Sequence, residues 1–327
     1  YYAQQPKWAQ ATKRLSVNPQ RQRLLVYGLG SVIGLTLLAV LAVASAFVYL
    51  NPSLPTVEAM KSAELQVPLR IYARGADGKD GGLIAQIGEQ RRTPIVYDKI
   101  PQRVRQAFLA AEDDRFFQHS GFDYAGIVRA ALVNLLPGGN LQGASTITMQ
   151  TARNLFLSQD RKWRRKLQEI FLTYRLEKEF SKEEILGLYM NVIYFGQRSY
   201  GVAAASETYF GKPLAELSLA EVATLARIPQ SPSRANPIRD PELAAARRLY
   251  VLRRMKELGY ITALEADAAG REQLRARMHA PLFEVEAPYV AEMVRMELLN
   301  RDGHAPATGT VRAEGPRHNR RVLEGQT

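Results

Sequence analysis

The sequence predicts a mainly α-helical protein with one N-terminal transmembrane helix and a small β-hairpin region. Three observations lead to this prediction. Residues 24–50 carry no charged side chain, residues 101–258 repeat apolar positions at helical spacing, and residues 67–87 read as two strands around a Gly/Asp-rich turn. The 327 residues are 46% hydrophobic and 23% charged, which is the composition of a folded globular protein.

The amino-acid composition narrows the chemistry available to the chain. No cysteine is present, which excludes disulfide frameworks, thiolate metal sites and thiol nucleophiles. Lys and Arg outnumber Asp and Glu by 44 to 32, for a formal charge of +12. This excess favours anionic partners such as lipid head groups or phosphates.

The uncharged segment 24–50 is long enough to span a membrane. At about 1.5 Å per residue it forms a helix of about 40 Å, against a hydrocarbon layer of about 30 Å. The alternative is a cleavable signal peptide, whose apolar region usually has only about 7–15 residues. We therefore predict an uncleaved anchor.

The charges that flank the anchor predict its orientation. The tail before it carries basic side chains and no acidic one, namely Lys7, Lys13, Arg14, Arg21 and Arg23. The positive-inside rule then gives a cytoplasmic basic tail at 1–23, an anchor at 24–50 and everything after it outside the membrane. This topology argues against nucleic acid as a partner.

The region 51–98 reads as a linker followed by a β-hairpin. Pro52 and Pro55 interrupt the chain directly after the anchor. The predicted strands cover 69–73 and 83–87, with the turn at 75–82 between them.

Helices with visible start signals follow the hairpin. The first begins at Pro101 and runs to about Phe117, with an apolar stripe of Val104, Ala107, Phe108 and Ala111. Asp123 precedes a second, whose apolar face holds Ile127, Val128, Ala131, Leu132 and Leu135. Capping boxes pair Ser181 with Glu184, Ser218 with Glu221 and Thr262 with Glu265. Asp240-Pro241 opens a long helix that ends near Gly259.

A first candidate site centres on Glu112. On a continuous helix, Phe108, Glu112 and Phe116 stack on one face, so the carboxyl group lies between two aromatic rings. Apolar surroundings raise the pKa of a carboxyl group, which suits it to proton transfer near neutral pH. A surface carboxylate paired with Arg105 or Arg115 is the structural alternative.

Two further segments combine polar and basic side chains. Residues 143–154 bring together hydroxyls, an amide and a guanidinium, which suit phosphate or sugar oxygens or, alternatively, a capped helix start. Residues 161–166 hold five cations that suit a diphosphate. These residues begin a helix whose apolar stripe is predicted to be buried, namely Trp163, Leu167, Ile170 and Tyr174. On the same helix, Arg165 is predicted to form an ion pair with Glu169. A solvated basic face with an ordinary ion pair is the alternative there.

Taken in order, these segments resemble glycosyltransferase family 51, the peptidoglycan polymerase domain of class A penicillin-binding proteins and monofunctional transglycosylases. The matching blocks are Glu-Asp-x-x-Phe-x-x-His-x-Gly at 112–121, Gly-x-Ser-Thr-Ile-Thr at 143–148 continuing through Asn154, and Arg-Lys-x-x-Glu at 165–169. Further blocks lie at 182–205 and 226–237. The resemblance covers about 67–265, and the predicted glycosyltransferase domain is 99–265.

The resemblance implies a lysozyme-like helical fold in a bacterial inner-membrane protein with a periplasmic catalytic domain. It implies lipid II as donor, a nascent glycan chain as acceptor and undecaprenyl diphosphate as released product. Membrane lipids and cell-wall synthesis proteins are implied partners. Glu112 would be the general base on the acceptor 4-hydroxyl, and Glu169 would assist the leaving diphosphate directly or through Mg²⁺; no organic cofactor is implied. Residues implied in substrate binding are Asp113, Phe116, His119, Ser145, Thr146, Gln150, Arg153, Asn154, Arg165 and Lys166.

The sequence also departs from the family pattern. Arg153 stands where lysine is usual, Gly187 replaces a usual glutamate, Arg227 lies where glycine is expected and Met149 replaces a common glutamine. Neither Ser-x-x-Lys nor Lys-Thr-Gly occurs, so no transpeptidase activity is expected. Residues 266–302 resemble the start of a linker towards a transpeptidase domain, and 303–327 are expected to form an irregular tail, as if the chain were truncated.

Two other functions are open at this point. A lysozyme-like glycan hydrolase would use Glu112 and Glu169 as its pair of carboxyl groups. A truncated, inactive chain would serve only as a membrane-anchored scaffold.

Overall fold

The computed structural model describes residues 19–61, 68–74, 80–88, 90–135, 143–157, 162–279, 287–302 and 310–313. The chain divides into two compact units, Tyr1–Leu54 and Pro55–Thr327. The first unit contains helix α1, Pro19–Leu50, followed by a 3₁₀ turn at Asn51–Ser53. Within α1, the segment Tyr27–Leu50 has the length and composition of a membrane span, with a mean hydropathy of 2.4.

The second unit is mainly helical, as the sequence predicts. Its helices are α2 Val57–Lys61, α3 Gln102–Glu112, α4 Tyr124–Leu135, α5 Ile147–Phe156, α6 Lys162–Glu179, α7 Lys182–Val192, α8 Val202–Phe210, α9 Leu219–Arg227, α10 Pro241–Glu257, α11 Ala263–Arg271 and α12 Pro288–Asp302. Its strands are β1 Leu69–Arg74, β2 Asp80–Ile87, β3 Arg91–Arg92, β4 Ser199–Tyr200 and β5 Thr310–Ala313. Short 3₁₀ turns lie at Tyr97–Lys99, Phe116–Gln118 and Leu214–Glu216.

The predicted hairpin is present. β1 and β2 pair antiparallel, with Leu69 opposite Ile87, and the inner side chains pack against Ala291 and Val294 of α12. β5 pairs parallel with the other edge of β1, so part of the tail expected to be irregular is a strand. An open strand edge offers backbone hydrogen bonds to a segment without an apolar pattern, which explains why the sequence did not reveal β5. The remainder of the tail, 303–309 and 314–327, lies outside the described residues.

The helical core is built around α3, which packs on α9 and α10, while α5 packs on α6 and α7. Phe108 of α3 makes edge-to-face contacts with Tyr189 of α7, at 6.3 Å between ring centroids, and with Phe195, at 5.9 Å. All three side chains are fully buried. Each contributes roughly 1.5–3 kcal/mol through burial of apolar area, so this cluster fixes α3 against α7.

The predicted helix starts are confirmed. Ser181, Ser218 and Thr262 each form the reciprocal capping box with the glutamate three residues on. Asp240 accepts a hydrogen bond from the backbone N–H of Leu243 and opens α10, and Asp123 likewise accepts one from Gly126 at the start of α4. These caps depend on residues within one turn, which is why the sequence alone predicts them.

Helix α3 is shorter than predicted. It ends at Glu112 instead of about Phe117, because Asp113 leaves helical geometry at φ −162°. The prediction that Phe108, Glu112 and Phe116 stack on one helix face is therefore wrong. Phe116 is nonetheless fully buried, in its own 3₁₀ turn.

Among the described residues, much of the apolar faces of α4 and α6 is exposed. Trp163 and Tyr174 are 60% and 65% exposed, so the predicted buried stripe of α6 is wrong. The buried side chains of α6 are Gln168, Glu169, Leu172, Thr173 and Leu176. In α4, Gly126 and Ala130 face the interior, while Ile127, Val128, Leu132 and Leu135 are exposed. Apolar periodicity shows which side chains share a face, and it does not reveal what covers that face.

One departure from the family pattern has a packing explanation. A Cβ atom at Gly187 of α7 would lie 3.3 Å from the Cβ atom of Tyr97. That distance is tight, so the missing side chain lets the Tyr97–Lys99 turn pack against α7. Glycine in a helix costs about 1 kcal/mol relative to alanine, and this close contact offsets part of that cost.

Candidate active site

Glu112 lies at the C-terminal end of α3 and turns towards α5. Its Oε2 atom accepts a hydrogen bond of 2.9 Å from Nε2 of Gln150, whereas its Oε1 atom is buried and has no hydrogen-bond partner in the described chain. Burial raises the pKa of this carboxyl group, and the Gln150 hydrogen bond and the charges of Arg227 and Arg153 oppose that rise. The alternative, a surface carboxylate paired with Arg105 or Arg115, is not found: Arg115 pairs with Asp123, and Arg105 lies over the Tyr97 ring.

Asp113 and His119 lock the loop that follows Glu112. The Oδ2 atom of Asp113 accepts a 3.0 Å hydrogen bond from the backbone N–H of Ile147, the first residue of α5. Nε2 of His119 lies 3.0 Å from Oδ1 of the same carboxyl group. Both side chains are largely buried. The buried ring of Phe116 packs edge-to-face with the His119 ring, and Nζ of Lys182 lies 4.3 Å from the Phe116 ring centroid. These three predicted substrate-binding residues therefore shape the loop around Glu112.

Thr146 is the N-cap of α5. Its hydroxyl donates to the carbonyl oxygen of Gly121 at 2.7 Å and accepts from the backbone N–H of Met149 at 3.3 Å. Gly121 has φ +87°, and a Cβ atom there would lie 2.8 Å from Cγ2 of Thr173. Both the backbone conformation and the close approach to Thr173 therefore require glycine at this position. Thr146 therefore acts as a helix cap, which is the alternative considered for this segment. Ser145, the residue before it, is half-buried.

The predicted polar residues of α5 share one face of that helix. Gln150 is buried and holds Glu112, Arg153 is 37% exposed at its side chain, and Asn154 is exposed. The amide of Asn154 donates to the backbone carbonyl of Gln150 at 2.8 Å. α5 thus presents a guanidinium and an amide beside the carboxyl group of Glu112.

Glu169 supplies the second carboxylate from α6, and its side chain is 3% exposed. Its Oε1 atom pairs with Nζ of Lys166 at 2.8 Å, and its Oε2 atom lies 4.0 Å from Nη1 of Arg153. The predicted pairing with Arg165 is wrong: Lys166, three residues away, takes that place. Arg165 is half-buried on the same helix, and Arg161 lies outside the described residues.

Arg153 joins the two carboxylates into one site. It lies 4.0 Å from Glu169, and its charge also lowers the pKa of Glu112. The site therefore combines a poorly solvated carboxyl group with a cluster of cations anchored by a buried carboxylate. Such an arrangement can accept a proton at one point and neutralise a departing anion at another.

The structure adds Tyr189 and Arg227 to the site. The hydroxyl of Tyr189 is buried, has no hydrogen-bond partner in the described part of the chain, and interacts electrostatically with Glu112 and Arg153. Arg227 donates to the carbonyl oxygen of Ala111 at 3.3 Å, and its guanidinium lies 4.5 Å from the Tyr250 ring centroid. The sequence shows both residues in family-like blocks, but only tertiary packing places them beside Glu112.

The described residues contain no group of protein side chains that could hold a Mg²⁺ ion by themselves. Mg²⁺ prefers several oxygen ligands in octahedral geometry. Within the described ranges, no group of three or more His, Asp or Glu side chains is placed to hold a metal ion, and Glu169 is already paired with two cations. A Mg²⁺ ion held by Glu169 together with the substrate diphosphate, as the resemblance implies, stays a prediction.

The chain is similar to a known family of transglycosylases and to penicillin-binding proteins. The family model described as Transglycosylase matches residues 80–256. Penicillin-binding protein 1A of Escherichia coli K12 is 46% identical over 86% of this chain, and that of Haemophilus influenzae is 49% identical over 75%. A crystal structure of the Haemophilus influenzae protein aligns with 76% of this chain at a TM-score of 0.43 and 35% identity.

These relatives are much longer than the chain. The match spans 31% of the Escherichia coli protein and 28% of the Haemophilus influenzae protein, so the chain covers about a third of their length or less. The region matched by the family model contains every site residue described above, from Glu112 to Arg227. The chain belongs to the transglycosylase family.

Proposed function

We propose that this chain is a peptidoglycan glycosyltransferase that polymerises lipid II into glycan strands and releases undecaprenyl diphosphate. One observation carries the proposal: the poorly solvated carboxyl group of Glu112 and the cation cluster around Glu169 are joined by Arg153. Family membership and the two carboxylates supplied by separate helices support it.

In the proposed reaction Glu112 is the general base. Its carboxylate takes the proton of the acceptor sugar's 4-hydroxyl, and the resulting oxygen nucleophile attacks the anomeric carbon of the donor. The bond between that carbon and the diphosphate oxygen breaks as the new glycosidic bond forms, with inversion at the donor. The proton stays on Glu112 until solvent removes it, and the electron pair leaves with the diphosphate.

Arg153, Lys166 and Arg165 are proposed to hold the diphosphate. Arginine binds phosphate oxygens through two parallel hydrogen bonds, and lysine supplies a point charge. Glu169 keeps Lys166 and Arg153 in place before the substrate arrives. Because these charges are positioned in advance, they stabilise the developing charge without reorganisation.

We expect Gln150→Met to move the acidic limb of the pH–rate profile to higher pH. Glu112 works as a base only when ionised, so the rate falls as the pH drops through its raised pKa. The Gln150 hydrogen bond lowers that pKa, and its loss raises the pKa further. The exposed Gln118 provides a matched control, since Gln118→Met leaves the limb in place. An unmoved limb in Gln150→Met would refute this role for Gln150.

We propose that the chain acts at the outer face of the inner membrane, with its N-terminus in the cytoplasm. The basic tail before α1 supports this orientation. The exposed apolar faces of α4 and α6 support contact of the second unit with lipid. Such contact would place the site beside a substrate whose lipid tail stays in the bilayer.

Fluorescence of Trp163 tests this lipid contact. The chain has two tryptophans, so Trp8→Phe leaves Trp163 alone. In vesicles with brominated phosphatidylcholine we expect strong quenching of Trp163. A tryptophan at the exposed position 264 of α11, introduced as Leu264→Trp in a chain lacking both native tryptophans, is expected to be quenched much less. Equal quenching at the two positions would contradict the proposal.

The identity of the substrate is tested by incubating the purified chain separately with lipid II and with finished sacculi. With labelled lipid II, the proposal expects glycan polymer and released undecaprenyl diphosphate. With finished sacculi, it expects no new reducing ends. New reducing ends without polymer would establish a hydrolase instead, and no product from either material would establish an inactive scaffold.

A further inference from the structure

A polar cavity lies on the second unit, and none of its lining residues belongs to the proposed glycosyltransferase site. About 350 Å³ of empty volume, part of it open to solvent, lies between the hairpin, β3, α8 and the segment that ends at His279. Its wall is polar and basic, and its lining includes Arg70, Arg91, Arg92, Thr93, Glu207 and His279. A wall of this kind suits a small anion with several oxygen atoms and does not suit an apolar ligand.

The three arginines have few negative partners. Arg70 interacts with Glu207 and donates to the hydroxyl of Thr93 at 2.9 Å. Arg91 donates to the backbone carbonyl of His279 at 2.9 Å and forms no ion pair in the described part of the chain. The cavity wall therefore carries three guanidinium groups and one carboxylate, an excess of two positive charges.

Arg92 is the most unusual of the three. It is only 8% exposed and stacks on Tyr200, yet its guanidinium reaches a carbonyl oxygen of Asn191 and the amide of Gln90 instead of a carboxylate. Its Nε atom has no hydrogen-bond partner in the described ranges, and burial lowers its pKa. A buried cation without a counter-charge costs free energy, and an anion bound in the cavity would offset that cost.

The wall also holds its basic groups in place. Thr93 bridges Arg70 and Glu207, with 3.4 Å from its hydroxyl to Oε2 of Glu207. The backbone N–H of His279 donates to the carbonyl oxygen of Thr208 at 2.9 Å, and β3 is paired with β4. The arginines thus project from a fixed frame, which lowers the ordering cost of binding.

We propose that this cavity binds a phosphate group, independently of the proposed diphosphate site. The excess of two charges matches a phosphate monoester, which is close to a dianion at neutral pH, better than a single carboxylate. The half-buried Arg91 and Arg70 would donate hydrogen bonds to the phosphate oxygens, and the buried Arg92 would contribute its positive charge. The proposal does not depend on the glycosyltransferase reaction.

The test measures binding by calorimetry to the full chain in detergent, with inorganic phosphate, short-chain phosphatidic acid and acetate at matched ionic strength. We expect phosphate to bind, acetate to bind much more weakly, and Arg91→Gln and Arg70→Gln each to weaken phosphate binding at least about tenfold, as loss of a charged hydrogen bond predicts. The exposed Arg271 provides the control, because Arg271→Gln leaves phosphate binding unchanged.

Binding at the two phosphate sites is separated with Arg153→Gln. If phosphate binds at the glycosyltransferase site, binding is lost in Arg153→Gln and kept in Arg91→Gln. If phosphate binds in this cavity, binding is kept in Arg153→Gln and weakened in Arg91→Gln. Preference for phosphatidic acid over inorganic phosphate identifies a lipid head group as the source, and equal binding identifies a soluble phosphate. Phosphate binding that is insensitive to both Arg91→Gln and Arg70→Gln, or acetate binding as tight as phosphate, overturns the proposal.

Discussion

Glu112→Gln is expected to reduce the rate of lipid II polymerisation by at least about a hundredfold, since a positioned general base contributes roughly 10²–10⁴-fold. Glutamine keeps the size of the side chain and its place beside Gln150, but it cannot accept the proton of the acceptor hydroxyl. Product formation from labelled lipid II, measured at saturating substrate, checks this expectation. The loss should appear in kcat, because the base acts in the transition state.

The same variant is expected to unfold at a temperature equal to or above that of the wild type. Burial raises the pKa of Glu112 in the folded protein, so in the interval between its ordinary and raised pKa the folded state binds more protons than the unfolded state. Stability therefore falls as the pH rises through that interval, and the ionised side chain is a cost at neutral pH. Glutamine removes this cost, so activity and stability change in opposite directions.

Glu183 provides the matched control for Glu112. It is an exposed glutamate in the first turn of α7. Glu183→Gln is expected to leave the polymerisation rate unchanged. If Glu112→Gln kept the wild-type rate, or if its loss of activity simply followed a loss of folded protein, Glu112 would not be the base.

Glu169→Gln is expected to lower the maximal rate by about a hundredfold, in the range found when a charge-stabilising group is removed from an active site. The variant leaves Lys166 and Arg153 without their shared carboxylate, so the proposed diphosphate site loses its geometry. It also frees the charge of Arg153 to act on Glu112, which lowers the pKa of that carboxyl group. The acidic limb of the pH–rate profile should therefore move to lower pH, the opposite of the shift expected for Gln150→Met.

Glu221 is the control for Glu169. Its side chain is 8% exposed and pairs with Lys212 at 2.8 Å, close to the environment of Glu169. Glu221→Gln removes the charge that pairs with Lys212 while glutamine can still complete the capping box. It is therefore expected to lower the unfolding temperature without moving the acidic limb. A Glu169→Gln variant with a maximal rate within twofold of the wild type would contradict its assigned role.

What the sequence predicts well depends on local interactions. The helix starts at Ser181, Ser218 and Thr262 are set within four residues, and all three are confirmed. The hairpin and the apolar helix near the N-terminus follow from runs of adjacent residues. Each of these signals can be found without knowledge of the rest of the chain.

The site itself needs tertiary structure. Gln150 lies 38 residues from Glu112 and reaches it only because Asp113 ends α3 and binds the first turn of α5. Arg227 comes from α9, and its contact with the end of α3 could not be inferred from spacing. Lys166 replaced Arg165 as partner of Glu169, since both i, i+3 and i, i+4 spacings place side chains on one helix face.

Glu112 is proposed to be a weakly solvated base, and its titration tests this most directly. Infrared difference spectra between wild type and Glu112→Gln, recorded across a pH titration with ¹³C-labelled glutamate, isolate the carboxyl group of this residue. We expect the wild type to show a protonated-carboxyl band that is absent in the variant and that disappears with a midpoint above the ordinary glutamate pKa of about 4.3. A midpoint at or below that value would show that burial does not raise the pKa of Glu112 and would remove the basis for its role as the base.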